Sequence, residues 1–246
     1  MGKLIFLLMV VHLSNVIGWN KHMEVPGMFQ GDIQLTPEQR QQLVKNGRAA
    51  FGSIVGKRWP NAVIPYYVES SLDSTARSAI SSAIADYHKY TCLRFRAKTS
   101  KDRNYISFFK GTGCNSPVGM HRVNRISIGE GCADKGTVLH EIGHSIGLEH
   151  EQSRPDRDAH VNINFNNIDG DWDYAFDIVY NIDSLGTPYD LKSMMHYSST
   201  AFAKAGMKTI TTVDPSKQSL IDNYNHIYGF SRTDIQQIKK MYQCKD

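Results

Sequence analysis

Eleven consecutive residues constrain this chain more than any other feature: His140-Glu141-Ile142-Gly143-His144-Ser145-Ile146-Gly147-Leu148-Glu149-His150. In a helix, His140 and His144 stand one turn apart, ~6 Å along the axis and ~40° around it. Both imidazoles leave the same face and reach one metal ion. Glu141 is rotated away from that face, placed to hold a water beside the metal rather than to bind the metal itself. Gly147 can take positive φ and stop the helix, after which the chain turns and brings His150 round as a third ligand. Three histidines with one position left open make a catalytic type of zinc site, not the closed structural type. Lone histidines on helices are usually polar surface. Five fixed letters at this spacing, however, arise by chance in a chain of this length only about once in ~10⁴ sequences. Val138, Leu139, Ile142 and Ile146 supply the apolar faces that a buried metal helix needs.

The remaining sequence sets the frame for that helix. With 246 residues and 41% hydrophobic side chains the chain can build a large core, and a net charge of +4 is too weak to argue for nucleic acid. Residues 1–18 read as a secretory signal: Lys3, the eight-residue apolar run Leu4–Val11, then small residues ending at Gly18. That run is too short to span a bilayer, and no later stretch is apolar enough, so a secreted protein without a membrane anchor is expected. In an oxidising compartment Cys92, Cys114, Cys132 and Cys244 should pair, and spacing alone leaves three pairings open.

Thr36-Pro37-Glu38-Gln39 is a helix start, with an end near Lys45 before the Asn46-Gly47 turn. Arg48 follows, an attractive cut site for a trypsin-like protease. Val63–Val68 reads as a strand, with Pro65 suggesting a sheet edge or a strand end. Ile80, Ala83, Ile84 and Tyr87 mark an amphipathic helix over Ser74–Lys89. Leu93–Ala97 and Tyr105–Phe109 read as strands, with two short ones between Cys114 and Gly131, including Arg125–Ile128. A helix is expected over Gly136–Gly147, irregular chain over 152–193, and a last helix from Ser231 with Asp234 as its capping partner. The class expected is α+β with two subdomains.

Beyond His150 the chain continues Glu151-Gln152-Ser153-Arg154-Pro155-Asp156-Arg157-Asp158, and further on reads Ser193-Met194-Met195-His196-Tyr197. In these motifs residues 49–246 resemble the astacin family of metzincins, whose pattern runs H-E-x-x-H-x-x-G-F-x-H-E-x-x-R-x-D-R-D and then S-x-M-H-Y. Leu148 stands where the family has Phe, a conservative change in packing. The resemblance implies a metzincin-like protease of two subdomains: a mixed sheet with the active-site helix in the first, a largely irregular second half with a terminal helix. It implies one zinc per chain on His140, His144 and His150, with Glu141 as general base and acid. Met195 would lie beneath the metal. Tyr197 would be a zinc ligand at rest and a donor to the oxyanion during reaction. The family's disulfide pattern implies Cys92–Cys244 and Cys114–Cys132. Its mature enzymes often begin Ala-Ala near the Glu after the third histidine, which points to Ala49 and Glu151. Phe29-Gln30-Gly31-Asp32 resembles the propeptide motif F-x-G-D, whose aspartate binds the zinc, so Asp32 is the expected fourth ligand of a zymogen.

The expected organisation is a signal peptide at 1–18, a propeptide at 19–48 and a catalytic domain at 49–246. The expected function is a secreted, monomeric zinc endopeptidase. Its partners are protein or peptide substrates and a trypsin-like activator. Substrates should add to an edge strand, for which Arg125–Ile128 is the candidate. The rival reading is a catalytically idle zinc-binding adhesion or toxin module. Loss of Glu141 or Tyr197 would favour it, and both residues are present.

Overall fold

The computed structural model describes residues 21–46, 57–180, 182–222 and 229–245. The signal segment 1–18, Arg48 and Ala49 lie outside the described residues. The strands are β1 (Ile33–Gln34), β2 (Val63–Val68), β3 (Arg94–Ala97), β4 (Tyr105–Phe109), β5 (Cys114–Pro117), β6 (Val123–Ile128), β7 (Val161–Ile163) and β8 (Ile210–Thr212). The helices are α1 (Pro37–Asn46), α2 (Ser74–Tyr90), α3 (Lys135–Ile146), α4 (Ser219–Asp222) and α5 (Arg232–Met241). Element order follows the sequence reading closely. Thr36 and Gln39 form the expected reciprocal cap of α1, each accepting from the other's backbone N–H.

Six strands form one mixed sheet in the order β1-β5-β6-β4-β2-β3, and only β5–β6 is antiparallel. β7 and β8 make a separate antiparallel pair. α2 packs against α3 and β3, while α3 packs against β5 and β6. α2 presents Ala76, Ala79, Ile80, Ala83, Ile84 and Tyr87 as its buried stripe. Tyr87 is wholly buried and donates its hydroxyl to the Leu139 carbonyl, tying α2 to α3. Every residue of α3 from Gly136 to Ile146 is buried, because the sheet covers one side and the chain around Met194 and Met195 the other. After α3 the chain is largely irregular, stitched by short 3₁₀ turns and interrupted only by β7, β8 and α4 before α5 among the described residues.

Two expectations are corrected by the pairing. Arg125–Ile128 belongs to β6, which lies inside the sheet between β5 and β4. The strand that borders the site is β5, and β1 lies along it in parallel, with Ile33 opposite Ser116. Pro65 does not mark an edge either, since β2 lies between β3 and β4. The β4 ladder begins only at Tyr66, one residue past the proline, so the missing N–H interrupts nothing on that side.

The disulfides are Cys92–Cys244 and Cys114–Cys132, the pairing the resemblance implied. The first ties the loop after α2 to the chain end beyond α5; the second ties β5 to the loop that leads into α3. The first encloses α3 within its covalent ring, the second closes a smaller ring just before α3, and each narrows the unfolded ensemble.

Candidate metal centre

α3 is held at both ends by specific bonds. Asp134 caps its first turn by accepting from the Thr137 N–H (2.9 Å), and Gly147 ends it at φ 113°. The carbonyls left unpaired at its last turn accept from Trp59 Nε1 at Ser145 (2.8 Å) and from the Tyr242 hydroxyl at Ile146 (2.8 Å). Neither aromatic carries a sequence signal for that task. With the helix fixed, His140 and His144 project together and His150 returns on the following turn. All three are fully buried.

A fourth group completes the cluster. Asp32 Oδ2 lies 3.1 Å from His140 Nε2 and 3.3 Å from His150 Nε2, and Asp32 Oδ1 lies 3.6 Å from His144 Nε2. One ligand atom from each of the four residues falls within 4.8 Å of the others. Tetrahedral zinc with bonds of ~2.0–2.1 Å puts its donors ~3.3 Å apart, and the closest pairs match that spacing. His140 Nδ1 donates to the Met194 carbonyl (2.7 Å), His144 Nδ1 to the Leu148 carbonyl (2.9 Å) and His150 Nδ1 to Gln30 Oε1 (2.8 Å). With the proton on Nδ1, each ring turns its Nε2 lone pair to the cluster, as a metal requires. Asp32 Oδ1 and His144 Nε2 face one another without a hydrogen-bond partner, which suits a shared cation. The donor set fits one zinc.

The electrostatics agree with ligation. Burial holds His140 below the usual histidine value and takes His150 down to about 4, so both are neutral. His144 meets the same burial but is drawn upward by Asp32. Burial would raise Asp32, yet the imidazoles of His150, His140 and His144 gathered around it hold it well below the carboxylate range.

Glu141 adjoins the first histidine but lies outside the ligand cluster. Both its oxygens are buried without a hydrogen-bond partner, and burial, with the Asp32 charge, raises it well above its ordinary value. Glu149 likewise has two buried unpartnered oxygens and is pushed by burial to about 8.

Tyr197 is buried with its ring 4.7 Å from that of His150. Its hydroxyl donates to the main-chain carbonyl of Gln30, so in this state its partner is the Phe29–Asp32 loop. That loop fits tightly: Gly31 has φ 86°, and a Cβ there would lie 2.6 Å from the Phe202 ring and 2.7 Å from the Met23 carbonyl, which only glycine avoids.

Met195 is 1% exposed, and its carbonyl accepts from the Glu151 N–H (2.9 Å). Glu151 Oε1 accepts from Arg154 Nη1 (2.9 Å) and from the Asp190 N–H (2.8 Å), and burial lifts its carboxyl to about 7. A cavity of about 70 Å³ lies beside it, lined in part by Arg58, His150, Arg154 and Gln237. Arg157, from the same motif, donates to the Gln152 and Phe176 carbonyls. The R-x-D-R-D stretch thus braces irregular chain.

Asp234 does more than its capping position signalled. It closes the capping box with Ser231, and also accepts from Ser193 Oγ (2.6 Å) and the Met194 N–H (3.0 Å), which anchors to α5 the stretch whose Met194 carbonyl holds His140. Burial raises its carboxyl to about 6. Asp234→Ala removes a cap and leaves buried donors unmet, which should cost about 2–4 kcal/mol. The melting temperature is expected to fall by roughly 5–15 °C. A thermal shift under about 2 °C would show that the anchor contributes little to stability.

Comparison with known proteins places this geometry. The family profile described as Astacin, a peptidase family, matches residues 53–243. The chain is 39% identical over 239 residues to "Protein SpAN" of Strongylocentrotus purpuratus, covering 90% of this chain and 38% of that protein. It is 40% identical over 190 residues to "Zinc metalloproteinase nas-13" of Caenorhabditis elegans, covering 76% of this chain and 41% of that protein. The chain therefore spans about two fifths of these curated relatives. Among solved structures, high choriolytic enzyme 1, a hatching enzyme zinc-protease from Oryzias latipes (medaka fish), superposes with a TM-score of 0.69 at 34% identity. That match covers 77% of this chain and 94% of the other.

Proposed function

The chain belongs to the astacin family of peptidases, and from that premise we propose that it is a secreted zinc-dependent endopeptidase made as a zymogen. The observation that carries the reading is the placement of Asp32. A carboxylate from a segment outside the family-matched region closes the fourth side of a three-histidine cluster, while Glu141 stays buried beside it without a partner.

His140, His144 and His150 hold the zinc, Asp32 fills the remaining position in the precursor, and Tyr197 takes it at rest in the mature enzyme. A zinc held by these residues would supply polarisation of the scissile carbonyl and a more acidic water, with a pKa of ~7. Glu141 takes the proton of the attacking water and passes it to the leaving nitrogen. Its buried, unpartnered carboxylate suits that task, since no bond must break first. Tyr197 donates to the oxyanion that forms on the scissile carbonyl. Its hydrogen bond to a main-chain carbonyl, that of Gln30, supports the assignment. The substrate is an extended peptide lying along β5, the edge now taken by β1.

Signal removal after residue 18 and a trypsin-like cut after Arg48 would release residues 19–48 and with them Asp32. The new ammonium at Ala49 then meets Glu151 in the neighbouring cavity, whose volume of about 70 Å³ accommodates the group with a water. The enzyme acts as a monomer on protein or peptide substrates.

The test is metal removal. The form beginning at Ala49 should carry about one zinc per chain, lose peptide hydrolysis to a chelator and regain it with zinc. Active enzyme free of zinc would contradict the assignment. Tyr197→Phe should keep its zinc and lower kcat by ~10²-fold, the loss of one oxyanion donor. An unchanged kcat would remove Tyr197 from the reaction.

A further inference from the structure

The three imidazoles do not draw their Nδ1 acceptors from the same part of the chain. His140 donates to Met194 and His144 to Leu148, both within residues 49–246. His150 alone donates to a residue of the segment to be removed, the side chain of Gln30 (2.8 Å).

Gln30 is wholly buried and tightly held. Its Nε2 donates to the Asp177 carbonyl (3.3 Å), which leaves Oε1 as the end that faces His150. Its own carbonyl accepts from Tyr197, and its backbone has φ 49°, a left-handed turn that brings both groups inward at once. A non-glycine residue in that conformation is worth a functional question. The contacts supply an answer: this one residue holds a metal ligand by its side chain and the catalytic tyrosine by its main chain.

We propose that Gln30 is a positioning residue of the metal centre in the precursor, a second latch beside Asp32 that fixes the His150 ring and tautomer. The inference rests on the zymogen reading above. Activation then withdraws two things from the metal: a ligand, and the hydrogen-bond partner of one of the three that stay. Only His150 has to find a new acceptor afterwards. Partners of this kind typically account for ~10–100-fold in metal affinity.

The experiment compares zinc retention by intact precursors against the chelator 4-(2-pyridylazo)resorcinol. Gln30→Met keeps the side-chain length and removes the acceptor. Its apparent zinc affinity should fall by about 10–100-fold relative to wild type. Gln34→Met is the control on the same segment, because Gln34 bonds Asn115 and the Arg125 carbonyl rather than the metal centre. It should retain zinc as wild type does. After cleavage behind Arg48 the variants become the same chain, and their zinc retention should converge, which a misfolded Gln30→Met precursor would not do. Wild-type retention by a Gln30→Met precursor, or an equal loss in Gln34→Met, overturns the proposal. Asp32→Ala separates this from the reading beneath it. If that variant binds zinc as tightly as wild type, the Asp32 latch fails whether or not Gln30 has its effect.

Discussion

Glu141→Ala is expected to keep its metal and to lose nearly all turnover. The three histidines take their Nδ1 acceptors from Met194, Leu148 and Gln30, none of which involves Glu141. Its carboxylate lies outside the ligand cluster and bonds to nothing. Removing it should leave zinc content at about one per chain while kcat falls by about 10³–10⁴, the upper range for a lost acid–base group. KM should change little, because Glu141 acts on the proton and not on substrate binding. Zinc content and peptide hydrolysis measured on one preparation check both halves. A variant that keeps a tenth of its kcat would show that some other group moves the proton. A variant that loses its zinc would show that Glu141 belongs to the ligand set.

The second large effect concerns latency. Tethered beside the histidines, a carboxylate acts at an effective concentration on the order of millimolar, so even micromolar intrinsic affinity keeps the centre ~99.9% closed, a suppression of ~10³-fold. Asp32→Ala should therefore give uncut precursor measurable activity. Its rise should fall short of the mature rate, because β1 still lies along β5 and Gln30 still holds Tyr197. Arg48→Gln should do the opposite and stay silent after trypsin. The rates of the three precursors on one peptide, before and after trypsin, decide the matter. An Asp32→Ala precursor as silent as wild type would mean that steric cover alone keeps the enzyme latent.

What the sequence made legible follows from how local each signal is. The metal helix is a matter of four-residue spacing and a stop at Gly147, and it appears over Lys135–Ile146 as the letters suggested. The Ser231–Asp234 cap is equally local and appears as read. Strand neighbours are not local. Arg125–Ile128 has the alternation of a strand but nothing in its letters says which strands flank it. The edge beside the site proved to be β5, four residues long and already occupied. Pro65 misled for the same reason, since its cost depends on where the neighbouring ladder starts. The disulfide pairing was open on spacing and needed the family resemblance.

Long-range hydrogen bonds left the least trace. Trp59 and Tyr242 close the end of α3 from 86 and 96 residues away. Asp234 reaches Ser193 across 41 residues. Gln30 falls on the unspecified letter of a four-letter motif and reaches His150 across 120 residues. Each is ordinary in composition and becomes functional only by the fold that surrounds it.

The central claim is a zinc peptidase whose open metal position is filled by its own Asp32 until residues 19–48 are removed. The most direct measurement is the rate at which zinc-loaded precursor hydrolyses a peptide before and after a single cut, with the new terminus identified by sequencing. A rise of ~10³-fold on cutting after Arg48, abolished by a chelator, is the predicted result. Uncut precursor with Asp32 intact that cleaves the peptide as fast as the form beginning at Ala49 would contradict it.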